Sequence, residues 1–114
     1  MELTFTPEVA EVDCKEWNIT EKLFVREPTA AEYAIFENLS HKIFMNNISD
    51  VERAECYARI GVLFLRTEDG KRAFMDEFIR VLVNMNSKPL RRLVNKIADF
   101  VSLEKESIKE LEKN

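Results

Sequence analysis

Proton transfer near neutral pH calls first for a histidine, and the chain has a single one, His41. Its neighbourhood in sequence supplies only Glu37, one helical turn earlier, which is too little for a metal-donor set or a catalytic pair. A solvated surface histidine is the simpler reading. Glu68-Asp69 and Asp76-Glu77 are the densest acidic pairs and have the right groups for acid–base work or a hard cation. Acids before and inside the first turn of a helix also compensate its dipole, and that is the reading preferred for both pairs. No HExxH, GxSxG, GxGxxG or GxxxxGK[ST] pattern occurs, and Gly61 and Gly70 alone cannot build a phosphate cradle. The sequence therefore points to no catalytic, cofactor-binding or metal-binding residue. Cys14 and Cys56 form no CxxC pair and read as free, small apolar residues of a reducing compartment. Lys88, Arg91, Arg92 and Lys96 share one helix and could touch phosphates, which makes a small DNA-binding regulator using residues 88–100 an alternative. A net charge of −4 and the lack of a second basic element weigh against it. Trp17 and Tyr57 read as packing residues before stacking platforms.

The elements that must carry these side chains follow from composition and period. A chain of 114 residues, 46% hydrophobic and 33% charged, fits one domain with a packed core, so residues 1–114 are read as a single unit. Only two glycines and three prolines occur, which favours helices over turn-rich sheets. The start, Met1 to Glu8, is polar and acidic and does not read as a signal peptide. The longest apolar run, Ile60 to Leu65, falls far short of the ~20 residues of a membrane span, so a soluble protein is expected.

Leu3, Phe5 and Val9 alternate with polar residues, and Leu23-Phe24-Val25 favours β structure, so residues 1–27 are expected to form a strand, a loop and a strand. Residues 28–114 are expected to form a helical body, giving a mainly α fold with an N-terminal β-hairpin and about five helices. Thr29-Ala30-Ala31-Glu32 is a capping box, and its helix puts Tyr33, Phe36, Ser40, Ile43 and Phe44 on one face before ending near Asn46-Asn47. Ser49-Asp50-Val51-Glu52 repeats the box, and the helix after it becomes apolar all round across Ile60–Leu65, with Gly61 expected to mark close approach of another helix. After Thr67-Glu68-Asp69-Gly70, a helix carries Phe74, Phe78, Val81, Leu82 and Met85 on one face, with Met75, Ile79 and Val83 as a second stripe. Ser87 is read as the cap of a further helix that buries Leu90, Leu93, Val94, Ile97 and Val101, and Ser102 as the cap of a last one, Leu103 to Lys113.

These helices offer more apolar surface than one core needs, which points to protein binding and to a homo-oligomer. The candidate interaction residues are Ile60, Leu63, Phe64, Met75, Ile79, Val83, Ile108 and Leu111. A generic protein-binding adaptor would satisfy the same features.

Leu23-Phe24-Val25-Arg26-Glu27-Pro28-Thr29-Ala30-Ala31-Glu32, Leu65-Arg66-Thr67-Glu68-Asp69-Gly70-Lys71-Arg72-Ala73-Phe74, and the ending Ser102-Leu103-Glu104-Lys105-Glu106 through Asn114 occur in that order. With this spacing the chain resembles the tail assembly chaperones of lambda-like, long-tailed, non-contractile bacteriophages. The resemblance implies a non-enzymatic protein of the infected host cytoplasm, absent from the mature virion and without cofactor, nucleic acid or membrane partner. It implies binding to the tape measure protein, with the tail tube protein as a further candidate partner, and it implies self-association. It also implies two products, the longer made by a ribosomal slip; Glu112-Lys113-Asn114 is compatible with an A-AAA-AA run at the codon level.

Overall fold

A computed structural model of the chain describes residues 1–102. Strand β1 (Val9–Val12) pairs antiparallel with β2 (Leu23–Arg26), Val9 opposite Arg26 and Val12 opposite Leu23. Along β2, Leu23 and Val25 are buried while Phe24 and Arg26 are half-buried, the two-residue period of a strand with one covered face. The hairpin is thus present but begins later than its alternating pattern suggests. Leu3 and Phe5 precede β1 and are 74% and 81% exposed. The connection contains a 3-10 turn, Lys15–Trp17, closed by Asn18 at φ 58, a left-handed geometry that asparagine tolerates better than most residues.

A third strand, β3 (Leu65–Arg66), completes the sheet in the order β1-β2-β3 and sets Leu65 opposite Val25. Nothing local announces it, because Leu65 ends an apolar run that a buried helix would explain equally well. The chain then reverses at Thr67–Lys71. Gly70 adopts φ 86 and donates to the Thr67 carbonyl at 2.9 Å, while Thr67 N–H reaches the Lys71 carbonyl at 2.8 Å. An isolated bridge between Arg66 and Arg72 follows.

Helix α1 (Ala30–Ile43) opens on the expected capping box: Thr29 Oγ1 accepts from Glu32 N–H at 3.1 Å, and Glu32 Oε1 accepts from Thr29 N–H at 3.0 Å. It stops at Ile43, earlier than Asn46-Asn47. Arg53 from the next helix explains the stop, since its guanidinium donates to the carbonyls of Ile43 and Met45, both at 2.9 Å. Phe44 consequently leaves the buried face and is 83% exposed. Helix α2 (Asp50–Phe64) has half of the second box: Ser49 Oγ accepts from Glu52 N–H, but the Glu52 carboxylate accepts from the Ser49 hydroxyl instead of the backbone.

The long helix expected from Phe74 is replaced by a 3-10 turn, Asp76–Phe78, and a short helix α3 (Ile79–Val83). The extended chain of the Arg66–Arg72 bridge delays its start, and Ile79, Val81 and Val83 are β-branched residues of modest helix propensity. Of its expected inner face, Leu82 is buried, Phe74, Phe78 and Met85 are half-buried, and Val81 is exposed. Helix α4 (Ser87–Val101) buries Leu90, Leu93, Val94, Ile97 and Val101, the face read from its period; Asn86, not Ser87, occupies the cap position. Four α-helices therefore stand among the described residues, and the fifth expected one, Leu103 to Lys113, lies outside them.

Helix α2 is the axis of the core and packs against α1, α3 and α4. Its apolar run is covered within the domain itself: Ile60, Val62 and Phe64 are at most 2% exposed, and Phe64 meets the Phe36 ring edge-on at 5.8 Å.

Candidate functional site

The groups with chemical potential are scattered or already engaged. His41 is exposed and lines a groove of about 710 Å³ between α1 and α4 with Phe36, Phe44 and Asp99 among its walls. Asp69 accepts from the Thr67 hydroxyl and the Lys71 N–H within the turn, and Asp76 pairs with Arg72 at 2.7 Å. Among the described residues no three His, Cys, Asp or Glu side chains gather as metal donors, and no helix is long and apolar enough to cross a membrane. Cys14 and Cys56 are free and buried; burial, helped by Asp13 and opposed by Lys96, pushes the Cys14 thiol up to about 11. On the basic face of α4, Arg92 binds Glu16 at 3.1 Å and the Arg91 guanidinium lies 5.1 Å from the Tyr57 ring centre.

The candidate interaction residues separate into three sets. Ile60 and Phe64 are 1% and 2% exposed and pack in the chain's own core. Leu63, Ile79 and Val83 are half-buried and Met75 is 63% exposed, so these four keep surface. Ile108 and Leu111 lie outside the described residues.

Leu63 and Ile79 come together in a groove of about 380 Å³ walled by α1, α2, β3 and the Asp76–Phe78 turn. Ile35 and Leu39 of α1 and Val62 of α2 complete its apolar floor, and Ile35 is 49% exposed. Arg59, Arg66 and Arg72 stand around that floor with Glu32 and Asp76. Glu32 is the hub: its carboxylate meets Arg66 at 2.9 Å and Arg26 at 3.6 Å while also closing the α1 capping box. Burial opposes its ionisation, but the Thr29 N–H, Arg26 and Arg66 outweigh that and hold its carboxyl below the ordinary range. Arg66 is shifted down by burial and by Arg26, partly offset by Glu32. The Arg72 Nε is buried without a hydrogen-bond partner. Sequence periodicity found Leu63 and Ile79 but not the arginines, which come from α2, β3 and the segment after the Thr67–Lys71 reversal.

Neither a protein-family model nor a curated protein sequence matches the chain. A solved structure does, the "Structure of bacteriophage HK97 tail assembly chaperone", at a TM-score of 0.57 and 14% identity, covering 90% of this chain and 88% of that one. At so low an identity the correspondence speaks for the backbone architecture, and it extends over almost the whole of both chains. The chain therefore shares the fold of the bacteriophage HK97 tail assembly chaperone.

Proposed function

We propose that this protein is a tail assembly chaperone of a long-tailed, non-contractile phage, which binds the tape measure protein and keeps it soluble while the tail tube polymerises. The observation that carries the reading is the fold correspondence along 90% of the chain, which agrees with the motifs in Leu23–Glu32 and Leu65–Phe74. The mode of action is shielding: half-buried and exposed apolar side chains, Leu63, Met75, Ile79 and Val83, cover apolar helical segments of the partner. The protein acts without catalysis, in the cytoplasm of the infected host, and stays out of the finished virion. It self-associates through the same region. Co-expression with the tape measure protein of the same phage tests the reading. Soluble tape measure protein should rise with this chain present and co-purify with it. A tape measure protein equally soluble without it, and absent from the purified chain, overturns the proposal.

A further inference from the structure

The groove floored by Ile35, Leu39, Leu63 and Ile79 carries a charge opposite to that of the protein. The chain as a whole is at −4, yet three arginines and two carboxylates line this groove. Arg26, reaching Glu32 at 3.6 Å, adds a further cation at the edge. Glu32 is already shared between two arginines, and Asp76 is held by Arg72 at 2.7 Å. Arg59 is exposed and has no ion pair among the described residues. An apolar floor with the unpaired Arg59 guanidinium at its border, in a lining of net positive charge, matches one kind of protein ligand. That ligand presents leucine-like side chains at helical spacing with carboxylates on either side. A phosphate backbone matches less well, because it would leave the floor wet. A cavity of about 380 Å³ admits protruding side chains and leaves the helix that carries them outside, at the level of the arginines.

We propose that this groove binds an amphipathic helix of a partner protein whose apolar stripe is flanked by glutamate or aspartate, the floor taking the stripe and Arg59 taking the acid. That the partner is the tape measure protein rests on the chaperone reading above. The floor supplies affinity through buried apolar area, and the arginines supply orientation and selection against basic helices.

Two labelled synthetic helices test the assignment, with the same leucine stripe but flanked in one by glutamate and in the other by lysine. Fluorescence anisotropy against the full chain should show the glutamate helix binding about tenfold tighter, with the difference shrinking as salt rises. Arg59→Glu, on an exposed position, should leave the fold intact and reverse the preference. Ile35→Ser should weaken both helices together. Equal binding of the two helices, tighter binding of the lysine helix, or an Arg59→Glu variant that still prefers glutamate overturns the proposal. So does a peptide of residues 103–114 that displaces the glutamate helix and binds more tightly, because the groove would then belong to the chain's own end. Since the probes are synthetic, failure here leaves the solubilisation of the tape measure protein untouched. Loss of that solubilisation, with the peptide preference intact, removes the chaperone reading alone.

Discussion

The indole N–H of Trp17 donates to the backbone carbonyl of Pro89 at 3.1 Å, across a separation of 72 residues. The bond ties the turn between β1 and β2 to the first turn of α4, and one turn further on Arg92 meets Glu16. The same indole lies beside Phe74, with ring centres 6.4 Å apart. Trp17→Phe keeps most of the packing and removes the donor, which should cost about 1–2 kcal/mol from the lost hydrogen bond and the smaller ring. Urea unfolding followed by circular dichroism measures it. An unchanged midpoint would show that Trp17 contributes nothing by this route.

Gly61 sits in the middle of α2 against the same indole. A Cβ built there would lie 3.5 Å from Trp17 Cη2 and 3.9 Å from Leu82 Cδ1, ordinary contact distances. The close helix–helix approach expected at this glycine is not what fills the space: the nearer neighbour is Trp17 of the β1–β2 connection, and there is room for one methyl. Gly61→Ala should therefore raise stability by up to about 1 kcal/mol through helix propensity. Gly61→Leu should lower it severely by overpacking. A fall in Tm for the alanine variant would show that the site is tighter than these distances imply.

Acid should act on the fold through Glu32. Its folded carboxyl is held below its ordinary value of 4.5, so the ionised form is favoured more in the folded chain than in the unfolded one. That contribution is fully present above the ordinary value and is lost as pH falls through the depressed one. Glu32→Gln should lower stability at neutral pH and flatten the acid limb of the profile, so that the variant approaches the wild type at low pH. Thermal melts across that range decide the matter. Parallel curves for the two proteins would assign the acid sensitivity to other carboxylates.

The thiols should be slow. Cys14 and Cys56 are 4% and 6% exposed, and burial raises both thiol pKa values, that of Cys14 to about 11. Little thiolate forms at neutral pH, and access is poor. A disulfide-exchange reagent should label both cysteines slowly in native protein and quickly in urea. Rapid native labelling at either position would mean that its surroundings open readily.

Periodicity reads α4 cleanly because one side is apolar and the other carries Lys88, Arg91, Arg92 and Lys96, so face and element agree within a short window. The Thr29–Glu32 box is legible for a similar reason, since all its atoms lie within one turn. Long-range partners decide the features that could not be read. Arg53 ends α1 from another helix, and β3 exists because β2 receives it. The break before α3 has a nearer cause, the Arg66–Arg72 bridge across the Thr67–Lys71 turn. Of the candidate groove, the apolar half is legible in Leu63 and Ile79. The charged half is not, because the helix-to-strand junction at Phe64–Leu65 and the reversal after Arg66 set how Arg59, Arg66 and Arg72 face one another, and neither follows from the apolar period.

Helix α2 ends at Phe64 and β3 begins at Leu65, with no residue between them. Both side chains are essentially inaccessible, at 2% and 0% exposed. One inserted residue before this junction would turn the preceding helix by about 100° relative to the strand. The same insertion taken up by the strand would exchange its two faces. Neither change can be relaxed locally, because no slack separates the two registers. Drift between relatives should accordingly leave the count of residues from Asp50 to Arg66 constant while side chains of like size interchange within it. Length differences should gather in the exposed Thr67–Lys71 reversal, where an added residue disturbs no buried neighbour.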